Sequence, residues 1–333
     1  MCDESAKGDE RRHTLLIAPD SFKGTFTAGE VATAVAGGAG PLIESDRCPL
    51  ADGGEGTLGV LLGALGGEVL EREAHDPLGR PILAELALTG DGTAIVEVAG
   101  ASGLGLIAPG ERNAEAASSR GTGELIAAAA DAGAREILVA AGGSATSDGG
   151  LGALEAIEQA GGLHGSRITV LADVTTPFER AAEVYGPQKG ADTDAVARLT
   201  ARLDRLAERL PRDPRGISMS GAAGGLSGGL WAAHEARLVL GAPWVMDAVG
   251  FQAKLARARA VVTGEGRLDA QTLEGKVVFE VSERCRRAGV PVHVVAGSCF
   301  LAAGELELLG LASVREAGTV ELLREAGAEI ARV

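Results

Sequence analysis

The sequence predicts an α/β protein of two α/β domains, one Rossmann- or flavodoxin-like and discontinuous, the second inserted into it with a mixed sheet. Three observations support this reading. Short apolar runs that end at Pro or Gly alternate with helical patterns over most of the chain. Residues 67–99 interrupt that alternation with period-two segments. Fifty glycines sit beside apolar runs in no fixed period, which points to tight turns and close backbone approaches and excludes a collagen-like or unstructured chain.

In chain order, Leu15-Leu16-Ile17-Ala18 reads as a short buried strand that ends at Pro19. A helix follows from Thr27, whose hydroxyl can cap it, and Glu30 three residues on completes a capping box. A second strand leads into Cys48-Pro49-Leu50, and the segment after Gly54 reads as another helix. Residues 67–73, 82–88 and 93–98 then alternate apolar with polar side chains. Turn signals lie between them at Asp76-Pro77-Leu78-Gly79 and Asp91-Gly92, as in an antiparallel element with one wet face. Strand and helix alternate again afterwards, with strands at 137–140 and 168–172. Within 192–210, Val196, Leu199, Leu203, Leu206 and Leu210 form the stripe of an amphipathic helix packed on a sheet. Strands recur at 260–262 and 292–295. The antiparallel insertion sets a boundary near residue 73. Residues 14–72 with 250–333 then form the discontinuous domain, 73–249 the inserted one, and 1–13 a disordered tail.

A formal charge of −15 with 3% aromatic residues excludes an ordinary nucleic-acid binder, because neutralising phosphates requires a basic surface. Anionic ligands must be held locally against that field, by loop amides, helix N-termini and a few Lys or Arg side chains. Cys2, Cys48, Cys285 and Cys299 show no CxxC spacing, and a chain of 333 residues needs no disulfide staples. Reduced thiols in a cytoplasmic compartment are expected. His13, His75, His164, His234 and His293 show no metal-binding spacing. The polar lead-in Met1 to His13 lacks the apolar core of a signal peptide, and no run approaches the roughly 18 apolar residues of a membrane span. The expected partners are small molecules, with no nucleic acid and no membrane, for a monomer or homodimer.

Ligands of open α/β sheets bind beyond the carboxyl ends of strands, and four glycine-bearing segments fall there. In 18–25, Asp20 can hold Mg2+ or orient a hydroxyl, and Lys23 is a point charge for phosphate or carboxylate; the bland reading is a strand-to-helix turn with a solvated lysine. In 51–57, Asp52 and Glu55 stand among three glycines, either as acids at a helix start or beside a ligand that approaches the backbone. Residues 142–150 (GGSATSDGG) offer successive amides and hydroxyls that could cradle phosphate oxygens, although the loop is not a Walker A motif. In 263–276, Arg267, Asp269 and Lys276 set a base or metal candidate between two cations, a set suited to phosphoryl transfer. Its opening Gly-x-Gly has Asp269 where a dinucleotide fold wants its third glycine. Residues 186–191 read as a turn with a cation. Residues 221–229 contain a formal G-x-S-x-G at Ser227, without the preceding strand that a nucleophile elbow needs.

Eight segments in this order resemble the type I glycerate kinase family. They are APDSFKG at 18–24, ADGGEGT at 51–57, EVAGASGL at 97–104, GTGELI at 121–126, GGSATSDGG at 142–150, GPQKGA at 186–191, GAAGGLSGGL at 221–230 and TGEGRLDAQTLEGK at 263–276. The resemblance covers about residue 14 to about residue 300. It implies a two-domain α/β kinase that uses ATP and Mg2+ to phosphorylate D-glycerate at the 2-hydroxyl, giving 2-phosphoglycerate. One departure is Ser147, where the pattern leads to Asn; a hydroxyl can replace an amide donor there.

Phosphoryl transfer needs positioning, charge neutralisation and a group that takes the alcohol proton. On chemical grounds Lys23, Asp52 and Asp269 are the catalytic candidates, with Asp269 or Asp52 as the base. Asp20, Ser21, Glu55, Arg267 and Gln271 are assigned to the acceptor. Gly142, Gly143, Ser144, Thr146 and Lys276 are assigned to nucleotide phosphates. Asp148 and Asp173 are the metal candidates, in competition with Asp20. A cleft between domains that closes to exclude water is expected. The alternatives are a kinase for another small hydroxy acid, a non-catalytic sugar-acid sensor and a serine hydrolase built on Ser227.

Overall fold

The computed structural model describes residues 13–332. Residues 1–12, most of the tail expected to be disordered, lie outside the described residues, as does Val333. The strands in chain order are β1 (Thr14–Ile17), β2 (Ser45–Arg47), β3 (Glu68–His75), β4 (Pro81–Leu88), β5 (Thr93–Glu97) and β6 (Glu136–Ala140). They continue with β7 (Arg167–Ala172), β8 (Arg237–Leu240), β9 (Ala258–Leu268), β10 (Val292–Cys299) and β11 (Ser313–Glu316). The chain divides into two compact units, one running to Ala51 and resuming at Val245, the other Asp52–Trp244.

The sheet of the first unit has the order β11-β10-β9-β1-β2, with every pair parallel. Counted within the unit this is 2-1-3-4-5, the flavodoxin-like doubly wound order. Leu15, Leu16 and Ile17 are all buried, as a central parallel strand covered on both faces requires. The helix Ala28–Ala39 starts at the expected capping box. Glu30 N donates to Thr27 Oγ1 at 3.2 Å, and Thr27 N donates to Glu30 Oε2 at 2.8 Å. It packs on the helix Val320–Ile330, and Gly38 sits where any Cβ would run into the Arg324 carbonyl. Val31, Val35, Leu323 and Ile330 fill the core between that helix pair and the sheet. Strand β9 runs to Leu268, well past the expected strand at 260–262, because residues through Leu268 stay paired with β10.

The second unit has the order β3-β4-β5-β6-β7-β8, with β3, β4 and β5 antiparallel and β5 to β8 parallel. This is the expected mixed sheet, and its antiparallel part is the period-two region of the sequence. Residues 52–72 were expected with the first domain, whereas the units divide between Ala51 and Asp52. Backbone bonding accounts for the placement: Gly142 N donates to the Gly53 carbonyl at 3.1 Å, and Leu58 N donates to Glu97 at 2.7 Å.

The helix Thr193–Ala207 carries the expected stripe and is capped by Asp192, which accepts from Ala195 N at 2.8 Å. Its Leu199, Leu203 and Leu206 do not join a sheet core; they bury against Phe178, Ala181 and Ala182 in a separate cluster. Cys48, Cys285 and Cys299 are free thiols, and burial pushes Cys48 up to about 11. Among the described residues no helix is long and apolar enough to cross a membrane.

Candidate functional site

The residues singled out in the sequence fall into two groups, one in each unit. In the first unit, β1 and β9 are neighbours where the strand order reverses, which is where sheets of this type open a ligand crevice beyond their carboxyl ends. The chain leaving β1 stays alongside β9, with Ala18 N donating to the Val262 carbonyl at 2.7 Å and Asp20 N to that of Gly264 at 2.8 Å. Asp20 is thereby buried, and its Oδ1 accepts from Ser21 N at 2.6 Å. Residues 22–26 form a turn closed by Phe22 and Phe26, with Gly24 at φ +78 and Lys23 exposed on it.

At the end of β9 the exposed Arg267 guanidinium stacks on the Phe300 ring at 4.4 Å and pairs with Asp269 at 3.2 Å. Asp269 caps the short helix Ala270–Glu274, accepting from Gln271 N at 3.0 Å. Lys276 Nζ donates to Gln271 Oε1 at 3.1 Å. Asp20, Ser21 and Lys23 after β1, with Arg267, Asp269, Gln271 and Lys276 after β9, thus gather at one end of the first sheet. They include three cations in a chain of net charge −15, and a cluster of that kind can hold a carboxylate or phosphoryl group locally.

In the second unit the glycine-rich loop leaves β6 beside β7, with Ala141 N donating to the Leu171 carbonyl at 3.0 Å. The segment around Asp52 lies against it backbone to backbone: a Cβ on Gly142 would sit 2.5 Å from Gly54 Cα. Asp52 is buried and its Oδ1 accepts from Gly54 N at 3.0 Å, while Glu55 is exposed. Gly142 and Gly143 reach solvent, Ser144 is 8% exposed, and residues 145–150 are buried. Of the loop residues assigned to phosphate, Gly142 and Gly143 are therefore accessible, whereas Ser144 and Thr146 are buried. Asp173 is half-buried just past the end of β7.

Asp148 is fully engaged inside its own unit. Its Oδ2 accepts from Ser119 N and Oγ at 2.8 Å each and from Gly152 N at 3.2 Å, and its Oδ1 accepts from Gly150 N at 3.1 Å. Ser147, the departure from the family pattern, is buried and its Oγ has no hydrogen-bond partner.

Two residues escaped the sequence reading. Lys189, taken as a cation in a turn, is 2% exposed, with Nζ 2.9 Å from Ser144 Oγ and 2.6 Å from the Thr146 carbonyl. Burial pushes its ammonium down to about 7, against the charge of Asp148, which favours the protonated form. Glu97, quoted within a motif but given no role, lies at the N-terminus of the helix Thr57–Leu65, accepting from Leu58 N; burial pushes its carboxyl up, opposed by the hydrogen bonds from Leu58 and Gly56. The single local clue to Lys189 was its place between Pro187 and Gly190, and sequence spacing alone gives no measure of burial.

Ser227 lies in the first turn of the helix Leu226–His234, behind a 3-10 turn and not behind a strand. It is buried, and its hydroxyl donates to the Met219 carbonyl at 3.0 Å and that of Ala222 at 2.9 Å. It is a structural serine, and the hydrolase alternative loses its nucleophile. The carboxylates present are hard oxygen donors of the kind Mg2+ takes in ones and twos, completing its shell with water and phosphate oxygens. Among the described residues no group of three or more His, Cys, Asp or Glu side chains is gathered around a common point.

Comparison with known proteins gives a consistent result. The model of the glycerate kinase family matches residues 15–160 and 158–325. A glycerate kinase of Bacillus subtilis (strain 168) is 37% identical over 326 residues, covering 85% of each chain. A glycerate 2-kinase of Escherichia coli (strain K12) is 34% identical over 323 residues, again covering 85% of each. A crystal structure from Salmonella typhimurium LT2 bearing the name glycerate kinase 2 superposes with a TM-score of 0.81 at 35% identity, covering 96% of this chain and 97% of that one.

Proposed function

The chain belongs to the glycerate kinase family, and from that premise we propose that it transfers the γ-phosphoryl group of ATP to the 2-hydroxyl of D-glycerate, giving 2-phosphoglycerate and ADP. It is a kinase, as its homologues at 34–38% identity are named. The observation that carries the reading is the gathering of Asp20, Lys23, Arg267 and Asp269 beyond the carboxyl ends of β1 and β9.

Glycerate offers a carboxylate, a secondary hydroxyl and a primary one. Lys23 and Arg267 supply charges for the carboxylate and the transferring group, and Arg267 arrives already oriented by the Phe300 ring. Asp20, Ser21, Glu55 and Gln271 hold the hydroxyls. As the acceptor oxygen forms its bond to the γ-phosphorus and the bond to the β-phosphate oxygen breaks, the hydroxyl proton passes to a carboxylate, Asp269 or Asp52. Asp269 already faces Arg267, which fixes its orientation. Gly142, Gly143 and Ser144 present backbone and hydroxyl donors to the nucleotide phosphates, and Lys276 offsets charge on the leaving oxygen. Mg2+, bound with the nucleotide, supplies further neutralisation of phosphate charge. Asp173 or Asp20 would hold it, because both oxygens of Asp148 are taken by its own unit.

The position of transfer is tested by ³¹P NMR of the product formed from ATP, Mg2+ and D-glycerate. A phosphorus signal coupled to the single C2 proton supports the proposal. Coupling to the two C3 protons would assign the enzyme to the primary hydroxyl instead.

A further inference from the structure

We propose that Lys189 is a positioning residue for the reaction, holding the glycine-rich loop from beneath in the shape in which Gly142, Gly143 and Ser144 receive the nucleotide phosphates. The inference rests on the reading of that loop as the phosphate-binding element.

Lysine is almost never fully buried without a paired charge, because desolvating an ammonium is expensive. Lys189 is 2% exposed, yet the two atoms that accept from it are neutral, Ser144 Oγ at 2.9 Å and the Thr146 carbonyl at 2.6 Å. Asp148 acts on it as a charge, but both Asp148 oxygens are occupied by Ser119, Gly150 and Gly152. From its own side of the loop Tyr185 places a ring 5.9 Å away, its phenol tied to Thr176 at 2.7 Å. Arg112 approaches the following Gly190 through its backbone and Cβ, with its own side chain exposed. An apolar side chain of similar length would fill the space at lower desolvation cost. The ammonium is spent on two buried loop residues that follow the accessible Gly142 and Gly143.

The placement has an electrostatic consequence. An anion received at the exposed Gly143 lies one residue from Ser144, which accepts from a group that burial has pushed down to about 7. Negative charge there favours the ammonium form, so phosphate binding and protonation of Lys189 reinforce each other. Nucleotide binding therefore takes up a proton near neutral pH and weakens as the pH rises through that range.

The test compares wild type with Lys189→Met and Lys189→Arg. KM and kcat for Mg-ATP and for D-glycerate are measured from about pH 6 to about pH 9, and MgADP binding is measured by calorimetry in two buffers of different ionisation enthalpy. In wild type, KM for Mg-ATP rises with pH and MgADP binding takes up a proton. In Lys189→Met, KM for Mg-ATP rises about tenfold or more at low pH, its pH dependence flattens, and KM for D-glycerate holds. Lys189→Arg, charged throughout, restores a low and pH-independent KM. A folded Lys189→Met with wild-type KM and pH profile would overturn the proposal. If that variant does not fold, MgADP binding by wild type without proton uptake overturns it equally. A Gly143→Val enzyme that turns over with undiminished nucleotide affinity would remove the loop from phosphate binding, and the role of Lys189 with it.

Discussion

One carboxylate oxygen of Asp148 accepts from both the amide and the hydroxyl of Ser119, each at 2.8 Å. The pair ties the glycine-rich loop to the start of the helix Arg120–Asp131, and Ser119 Oγ passes the connection on to Ala153 N at 3.0 Å. Replacing Asp148 by Ala strands four buried donors, and the expected loss is about 3 kcal/mol or more. Urea unfolding measures it. A stable Asp148→Ala that loses only Mg2+-dependent activity would show that the residue serves the metal and not the loop.

Lys23 is exposed on its turn, so its replacement by Ala is expected to leave stability within about 0.5 kcal/mol. Steady-state kinetics should show kcat/KM lower by about 100-fold or more, as for the loss of a charge aimed at a transferring phosphoryl group. Near-normal turnover would remove Lys23 from the mechanism.

The buried lysine also leaves a mark on stability. Burial lowers Lys189 from 10.5 to about 7 in the folded state, so between those values the unfolded chain binds the extra proton. Stability contributed at this position therefore rises with pH across that window and is lowest below it. Lys189→Met removes the titration. Its stability relative to wild type should be greatest near pH 7 and decline toward pH 10.5. Thermal melts of the two proteins across that range measure the difference, and a constant difference would mean that Lys189 is not titrating there.

Much of this fold could be read from side-chain patterning, and the exceptions have physical causes. The capping box at Thr27 and Glu30, the apolar run at 15–17 and the period-two strands are local signals, and each became the element expected. Strands β8 and β11 were missed because Arg237–Leu240 and Ser313–Glu316 are four residues each, at sheet edges. Such strands bury one side at most, so neither pattern builds up. The helix Thr193–Ala207 shows the limit of periodicity, which identifies an apolar face but not the partner it meets, here Phe178.

At the candidate site, residue types and strand ends were legible, and burial was not. Arg267 and Asp269 were read as one set with different roles, one for substrate and one as base, and two positions apart on an extended backbone they do reach each other. Thr146 and Asp148 read as ligand donors because hydroxyls and carboxylates in a glycine-rich loop look available. Their long-range partners, Lys189 for the Thr146 carbonyl and Ser119 for Asp148, are 43 and 29 residues distant.

The most direct test of the account is a coupled ADP-release assay on the purified protein with Mg-ATP, with and without D-glycerate. The account predicts ADP release that depends on D-glycerate and falls to background when Lys23 or Arg267 is replaced by Ala. Folded protein that binds D-glycerate yet releases no ADP, or releases it equally without the acceptor, would contradict it.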